Sequence, residues 1–369
     1  MASATVSKRV QPKSRSVRQA EIDAYNRANL LQIVVPGVLL ALLAGAHCFA
    51  PGATAYTEKF FAVSYCNARL QGAAHSLRTA GRETLCAKGI DDAYLVATGI
   101  LAFTMIRAAM MTHVFTPLGL SQGIRKPKAL MRFSEQAWGC TYAVTSCSIG
   151  MYLYYNSEYW LDMDGFYSHH PRTLMSRTLK LFYLLEFSFW LQQILSLNVE
   201  ARRKDYMQMF GHHILTSVLM FLSYTHHMTR VGHTILTLMD FADIFLPLAK
   251  MLKYTGHQTL CDGTFVMFLL SWVVTRHYLL TKIIVHAHMR QPVLNNKGEN
   301  VTFVFVGLLS ALEILICVWS YSIAKILVKV VRGAPADDTR SDTEDSDSGG
   351  STRPSTPSEK MNGYAHKSE

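Results

Sequence analysis

Apolar residues are concentrated in eight stretches that polar and basic segments separate. Each stretch holds about the 20 residues that an α-helix needs to cross the hydrocarbon core of a bilayer. The sequence therefore predicts an all-α integral membrane protein with about eight transmembrane helices. The predicted helices are 30–50, 92–115, 137–155, 178–198, 211–228, 232–250, 262–286 and 301–328.

The composition agrees with this prediction. The 369 residues are 50% hydrophobic and only 17% charged, whereas soluble domains contain about 25% charged residues. The formal net charge is +10 with histidine counted as neutral, and the basic residues cluster beside the apolar stretches. Basic residues in such positions are typical of the cytosolic ends of transmembrane helices. They also suit a protein that contacts an anionic lipid surface or binds an anionic substrate. This distribution argues against nucleic-acid binding, which interleaves basic and exposed aromatic residues in a soluble module.

The basic residues also predict the orientation of the chain, because Lys and Arg are enriched in cytosolic segments. A cytosolic N-terminus places the basic arm 1–29 and the segments 116–136 and 199–210 in the cytosol. The loop 51–91 then lies in the lumen, although it carries five basic residues. Both termini are expected on the cytosolic side.

Outside the apolar stretches, the sequence suggests a disulfide, a glycosylation site and a phosphorylated tail, but it does not decide whether any of them forms. Cys66 and Cys86 share the lumenal loop, where a disulfide can form, but their spacing does not decide whether it does. The sequon at Asn300 abuts the eighth stretch, which disfavours glycosylation. Residues 332–369 predict a disordered acidic tail, in which serines and threonines stand beside acids. An acid-directed kinase would phosphorylate such a tail; a solvated tail without regulation is the alternative.

Ionisable residues in the fifth and sixth stretches predict a functional site. His212 and His213 begin the fifth stretch, and Asp240 and Asp243 lie three apart on one face of the sixth. Such groups are costly in a bilayer and mark functional sites. The short connection MTRVG makes the two helices antiparallel neighbours, so the pairs are expected to meet. An aspartate would then hold an imidazole, whose other nitrogen acts as base or nucleophile.

These residues also have other interpretations. Each histidine could be a hydrogen-bonded packing residue. A di-iron oxidase would need histidines four residues apart on one helical face, and none of the 15 histidines has this spacing, so no metal is predicted. The remaining charges inside the apolar stretches favour structural pairing, although an arginine could meet a phosphate; they are Arg107, Glu186, Arg276 and Glu313.

The ordered segments RRKDY, HHILT, SYTHHMTRVG and MDFADIFLPLAKMLKY resemble the Lag1 motif of the ceramide synthases, which lies in the six-helix TLC (TRAM–LAG1–CLN8) domain. Further similarity is carried by SEQAWGCTYAVTS, YYNSEYWLD and FYLLEFSFWLQQI, so the resemblance covers about 88–331. The fungal members are the most similar, since the Hox-like insert of many animal members is missing. Pro247 departs from the polar or acidic residue that many relatives carry there.

The resemblance implies the organisation of the chain and its activity. It implies a TLC catalytic domain with a final transmembrane helix at 92–331, after the helix 30–50 and the loop 51–91. The activity would be transfer of an acyl group from acyl-CoA to the amine of a sphingoid base in the endoplasmic reticulum membrane, with acyl-CoA as co-substrate and no cofactor. The motif's catalytic histidines map to His212 and His213, and its essential aspartates to Asp240 and Asp243.

Several further expectations follow from this activity. CoA phosphates need cationic partners, and the best candidates are Arg202, Arg203 and Lys204, followed by Arg125, Lys126 and Lys128; topology alone is the alternative explanation for both clusters. The resemblance also implies a small single-span accessory subunit, and a homodimer or a heterodimer with a paralogue. The rival functions are a non-catalytic TLC-domain protein of lipid handling or regulation, and a membrane acyltransferase with a hydroxyl acceptor.

Overall fold

The computed structural model describes residues 15–66, 84–168, 170–199, 205–295 and 301–332. Three sequence predictions fall outside these residues. They concern the basic triplet at 202–204, the sequon at Asn300 and the acidic tail beyond residue 332, and they stay predictions.

Helices make up most of the described chain, as the apolar stretches predict. In chain order they are α1 (Arg15–Phe49), α2 (Thr54–Phe61), α3 (Asp92–Met110), α4 (Thr116–Ser121), α5 (Pro127–Tyr155), α6 (Arg177–Val199), α7 (Tyr206–Thr225), α8 (Thr229–Tyr254), α9 (Gln258–Trp272), α10 (Leu280–Asn295) and α11 (Val301–Val331). Two short strands, β1 (Leu85–Ala87) and β2 (Leu174–Ser176), form an antiparallel pair in which Cys86 faces Met175.

Two π-helical segments join consecutive helices into longer rods. Met111–Phe115 connects α3 to α4, and Val273–Leu279 connects α9 to α10. Within the described residues, four helical segments are long and apolar enough to cross a membrane: Arg27–Phe49, Asp92–Ser121, Gln258–Arg290 and Phe303–Val328. The chain is therefore a multi-pass membrane protein by these criteria.

The helices α5 to α8 have lower hydropathy because they bury polar side chains against one another. Helix α5 packs along α8, α8 along α9, α6 against α3 and α7, and α7 against α11. Gly150 lets α5 approach α8 closely, since a Cβ there would lie 2.5 Å from Thr237 Oγ1. The contacts leave an elongated cavity between α6, α7, α8, the segment Val273–Leu279 and α11.

One end of the bundle, here called the cap end, is where α7 ends and α8 begins. The loop after α1 is fixed to this end by a Cys66–Cys86 disulfide, which the sequence left open. Lys180 of α6 is fully buried there; it pairs with Asp92 Oδ1 at 2.7 Å and donates to the carbonyl of Ala87 at 2.6 Å. The opposite end, where α7 begins, is called the histidine end.

The prediction for the connection between the fifth and sixth helices was wrong in its position. MTRVG was expected to be the turn, but Thr229 to Gly232 belong to α8, and the turn is His226–Met228. His227 adopts φ 62° in this turn. Arg230 is buried in the first turn of α8, where it donates to Glu158 Oε2 at 2.8 Å and to the Gly165 carbonyl at 2.6 Å. These partners account for the early start of the helix.

The first helix is also longer than predicted. Helix α1 begins at Arg15, so residues 15–29 of the predicted basic arm are helical. The run RSVRQAEIDAYNRAN contains no proline or glycine to stop a helix. The hydropathy pattern marked only its membrane-length part, which starts near Arg27.

Candidate active site

His212 and His213 lie in the second turn of α7, at the histidine end. Two tryptophans pack against them: the Trp190 ring centroid is 5.5 Å from that of His212 and 5.6 Å from that of His213, and the Trp319 centroid of α11 is 5.1 Å from that of His212. His213 is 7% exposed. The Nδ1 atoms of both rings have no hydrogen-bond partner among the described residues, so both imidazoles present an unengaged ring nitrogen.

Asp243 of α8 forms an ion pair with Arg276, whose Nη2 lies 2.5 Å from Asp243 Oδ1. The arginine is the buried partner, with 4% of its side chain exposed against 44% for Asp243. Arg276 Nη2 also donates to the carbonyl of Met239 at 3.2 Å, and the guanidinium lies 4.5 Å from the centre of the Trp272 ring. Its Nε has no hydrogen-bond partner among the described residues.

Arg276 is positioned by the π-helical segment Val273–Leu279. π-Helical turns inside α-helices are frequent at functional sites. The next residue, His277, faces α11, where its Nδ1 is 3.0 Å from Glu313 Oε1 and its Nε2 is 2.7 Å from Ser320 Oγ. Trp272 Nε1 donates to the same Ser320 oxygen at 2.8 Å. These bonds fix the segment to α11 and so hold Arg276 toward α8.

Asp240 points in another direction from Asp243. It is 3% exposed and accepts a hydrogen bond from Ser146 of α5, whose hydroxyl also contacts Glu186 of α6. One hydroxyl has one hydrogen, so it cannot donate to two carboxylates. One of the two carboxyl groups must therefore be protonated and donate to Ser146 Oγ, while the Ser146 hydroxyl donates to the other, and these bonds join α5, α6 and α8.

A cavity of about 530 Å³, counted to its open mouth, begins at His212, Asp243 and Arg276. It runs between the helices toward the cap end, and most of the wall is apolar. The other lining residues are Tyr183, Trp190, Thr216, Leu219, Met220, Ser223, Gly232, Ile235, Leu236, Met239, Phe305, Leu309 and Leu312.

The structure therefore separates the four residues that the sequence placed together. His212 and Asp243 share the cavity wall, His213 packs on Trp190 beside it, and Asp240 belongs to the Ser146 group. The expected hydrogen bond from an imidazole to an aspartate does not involve either Nδ1 among the described residues; Asp243 instead pairs with Arg276, and Asp240 with Ser146. Sequence reasoning noted Arg276 as an intramembrane charge but did not assign it to this site.

The arrangement fits acyl-transfer chemistry. An imidazole with an unengaged nitrogen can accept a proton or attack a carbonyl. A guanidinium fixed close to it can hold an oxygen that becomes negatively charged. The apolar cavity beyond these groups offers space for a hydrocarbon chain.

Comparison with known proteins shows the family of this chain. Residues 132–325 match the model of the TRAM, LAG1 and CLN8 family, described as the TLC domain. The sphingosine N-acyltransferase-like protein ALT7 of Alternaria alternata is 38% identical over 298 residues, which cover 70% of this chain and 69% of that protein. The sphingosine N-acyltransferase lag1 of Schizosaccharomyces pombe is 38% identical over 273 residues, 70% of each chain.

The ceramide synthase LAG1 of Saccharomyces cerevisiae is 31% identical over 276 residues, which cover 71% of this chain and 67% of that protein. The family model spans more than half of the chain, from within α5 into α11. The three relatives described here are fungal, and each is named for sphingosine N-acyltransferase or ceramide synthase. The chain therefore belongs to the Lag1-type ceramide synthases of the TLC-domain family, and it is an acyltransferase.

Proposed function

We propose that this protein transfers a long or very-long fatty acyl group from acyl-CoA to the amine of a sphingoid base, dihydrosphingosine or phytosphingosine, and so forms a ceramide. The observation that carries the proposal is the position of His212 in the wall of a mostly apolar cavity that Asp243 and Arg276 also line, as an ion pair. A thioester at His212 would extend its acyl chain into the cavity and its CoA group away from it.

The reaction exchanges a C–S bond for a C–N bond. The amine of a sphingoid base is protonated at neutral pH and must lose a proton before it can attack the thioester carbonyl. In one route the ammonium first loses a proton to solvent; His212 then takes the second proton from the attacking amine as a general base and passes it to the thiolate of CoA as this leaves. In a second route His212 first accepts the acyl group as an acyl-imidazole and then passes it to the amine. His213, packed on the same Trp190, supports the reactive ring in either route.

We assign Arg276 the role of holding the carbonyl oxygen. In both routes this oxygen becomes negative in the tetrahedral intermediate, and Arg276 is the cation on the cavity wall next to His212. Asp243 positions the guanidinium through the 2.5 Å contact. Asp240 supports the site from behind through Ser146, and it touches no substrate in this proposal.

The CoA phosphates are proposed to bind basic residues at the histidine end. The triplet Arg202, Arg203 and Lys204 precedes α7 closely in sequence, and phosphate groups are well matched by guanidinium donors. Arg125, Lys126 and Lys128 precede or begin α5 and are exposed. Because α5 and α7 have the same direction in the bundle, both clusters would flank one entrance.

For the membrane arrangement we propose eight crossings with α5 to α11 as a six-crossing TLC core. Helices α5 to α8 would cross although they are less apolar, because their polar residues face one another; Ser146, Glu186 and Asp240 are all at most 5% exposed. The histidine end and both termini would be cytosolic and the cap end lumenal in the endoplasmic reticulum. The disulfide at the cap end supports this orientation, since disulfides persist in the oxidising lumen. A small single-span accessory subunit and a dimer remain predictions of the family resemblance.

Expression in cells that lack ceramide synthase tests the function. Microsomes would receive dihydrosphingosine and acyl-CoAs, and mass spectrometry would measure ceramide. We expect ceramide from the wild type and from the control His226→Ala at the cap end, and none from His212→Ala. Loss is also expected for His213→Ala and Asp243→Ala. Wild-type activity in His212→Ala would refute the site, and no ceramide from well-expressed wild type, with the accessory subunit supplied, would refute the function.

A further inference from the structure

The cavity has a measurable length because two helices line it from end to end. On α7 its lining runs from His212 to Ser223, and on α8 it runs from Asp243 back to Gly232. Each stretch spans 12 residues and therefore 11 rises, or about 16 Å at 1.5 Å per residue. Because α7 and α8 are antiparallel neighbours, the lining residues of both helices place the two ends of the cavity at the same positions. The reactive end lies at His212 and Asp243, and the far end lies at Ser223 and Gly232.

Three residues from three helices meet at the far end. The Tyr183 hydroxyl of α6 bonds to Ser223 and lies 3.4 Å from the carbonyl of Met220. A Cβ on Gly232 would lie only 2.5 Å from the Tyr183 oxygen and 2.7 Å from Ser223 Oγ. The phenol ring therefore fills the space that the missing side chain of Gly232 leaves between the helices.

Tyr183 is held in this position from the cap end. It is 1% exposed, and its ring stacks on Tyr224 with centroids 5.9 Å apart. The Tyr224 hydroxyl donates to Asp92 Oδ2 at 2.7 Å, and Asp92 in turn pairs with the buried Lys180. The far end is thus a polar, rigid wall across an otherwise apolar cavity.

We propose that Tyr183, Ser223 and Gly232 form the stop that sets how long an acyl chain the enzyme accepts. The inference rests on the proposed function, because it takes the cavity as the acyl site. An extended chain advances about 1.3 Å per methylene, given C–C bonds of about 1.5 Å. The 16 Å between the two ends therefore holds roughly 13 methylenes. Chains of 14 to 16 carbons fit, whereas a 26-carbon chain would have to displace Tyr183.

Two substitutions move the stop in opposite directions. Gly232→Ala pushes a methyl group against Tyr183 and Ser223, which shortens the cavity. Tyr183→Leu removes the ring and hydroxyl and lengthens it. Gly139→Ala on α5 is the matched control, since a Cβ there meets nothing within 4 Å. For each methylene of the acyl chain that the cavity no longer buries, the rate relative to a chain that fits is expected to fall about fourfold. This factor corresponds to the free energy gained by burying one methylene.

The experiment supplies an equimolar ladder of acyl-CoAs from 12 to 26 carbons and one sphingoid base, and it measures the acyl lengths in the ceramide formed. We expect Gly232→Ala to shift the distribution to shorter chains and Tyr183→Leu to longer ones, with Gly139→Ala unchanged. Unchanged distributions in both variants would overturn the proposal while ceramide synthesis stands. If the Tyr183→Leu protein does not accumulate, the acyl-length distribution of Gly232→Ala tests the proposal alone: a shift to shorter chains supports it, and an unchanged distribution overturns it.

A second ladder varies the sphingoid base at one acyl length. No change in its distribution is expected. A shift in the preferred sphingoid length in Gly232→Ala would show that the cavity holds the sphingoid chain and would overturn the assignment. Absence of any ceramide from the wild type would instead count against the proposed function itself, so the two failures are distinguishable.

Discussion

Replacing Asp243 by asparagine is expected to destabilise the protein more than replacing its partner Arg276 by methionine. The reason is their unequal burial, with 4% of the Arg276 side chain exposed and 44% of the Asp243 side chain. Asp243→Asn leaves a buried guanidinium without its counter-charge. Arg276→Met leaves a half-exposed carboxylate and puts an apolar side chain in the buried position.

The size of the difference follows from the contacts that remain. Removing one partner of a buried ion pair costs about 3–5 kcal/mol, but the 44% exposure of the Asp243 side chain reduces this value. Arg276 also keeps the Met239 carbonyl at 3.2 Å and the Trp272 ring at 4.5 Å. We therefore expect a loss of about 2–3 kcal/mol for Asp243→Asn and below about 1 kcal/mol for Arg276→Met. The activity of Arg276→Met should nevertheless fall about 100-fold, as when an oxyanion donor is removed.

Apparent thermal unfolding of the purified protein in detergent measures the stability difference, and ceramide synthesis measures the activity. The double variant Asp243→Asn/Arg276→Met completes the cycle. It should be more stable than Asp243→Asn alone, because the unpaired guanidinium is gone. Equal melting temperatures for the two single variants, or a double variant less stable than both, would refute the unequal burial of the pair.

Two further predictions concern the cap end. Cys86→Ser removes the disulfide between residues 20 apart and should lower the free energy of unfolding by about 3 kcal/mol. Cys317→Ser is the control. Equal apparent melting temperatures for the wild type and Cys86→Ser would contradict this prediction. Burial, with repulsion from Lys180, lowers the pKa of Lys88 to about 7, against about 10.4 unfolded. The unfolded chain therefore binds the extra proton between pH 7 and pH 10, so the wild type should gain stability relative to Lys88→Met as pH rises through this window and not below it. A difference that is independent of pH would contradict this explanation.

The positions of the long helices could be predicted from the sequence because their signal is local. Apolar runs of membrane length mark them without reference to any neighbour. The turn between α7 and α8 was misplaced because its position depends on partners distant in sequence. Arg230 is polar and looked like a loop residue, but Glu158 and the Gly165 carbonyl bury it in a helix.

The candidate site was predictable in part for the same reason. His212 and Asp243 stand out as ionisable residues in apolar segments, and the structure brings them to one cavity. The different partners of Asp240 and Asp243 could not be predicted, since the spacing of the two residues puts both on one face of the helix. Ser146 and Arg276 separate them, and the π-helical segment that delivers Arg276 has no pattern in the sequence by which we could have found it.

The most direct test of the proposed chemistry is ceramide formation by purified protein in lipid vesicles that contain dihydrosphingosine and a 16-carbon acyl-CoA. The wild type, His212→Ala and the cap-end control His226→Ala would be compared at equal amounts of folded protein. We predict product from the wild type and the control, and a rate at least about 100-fold lower for His212→Ala, the usual loss on removing a general base. A wild-type rate in His212→Ala would contradict the assignment of this histidine as the reactive group.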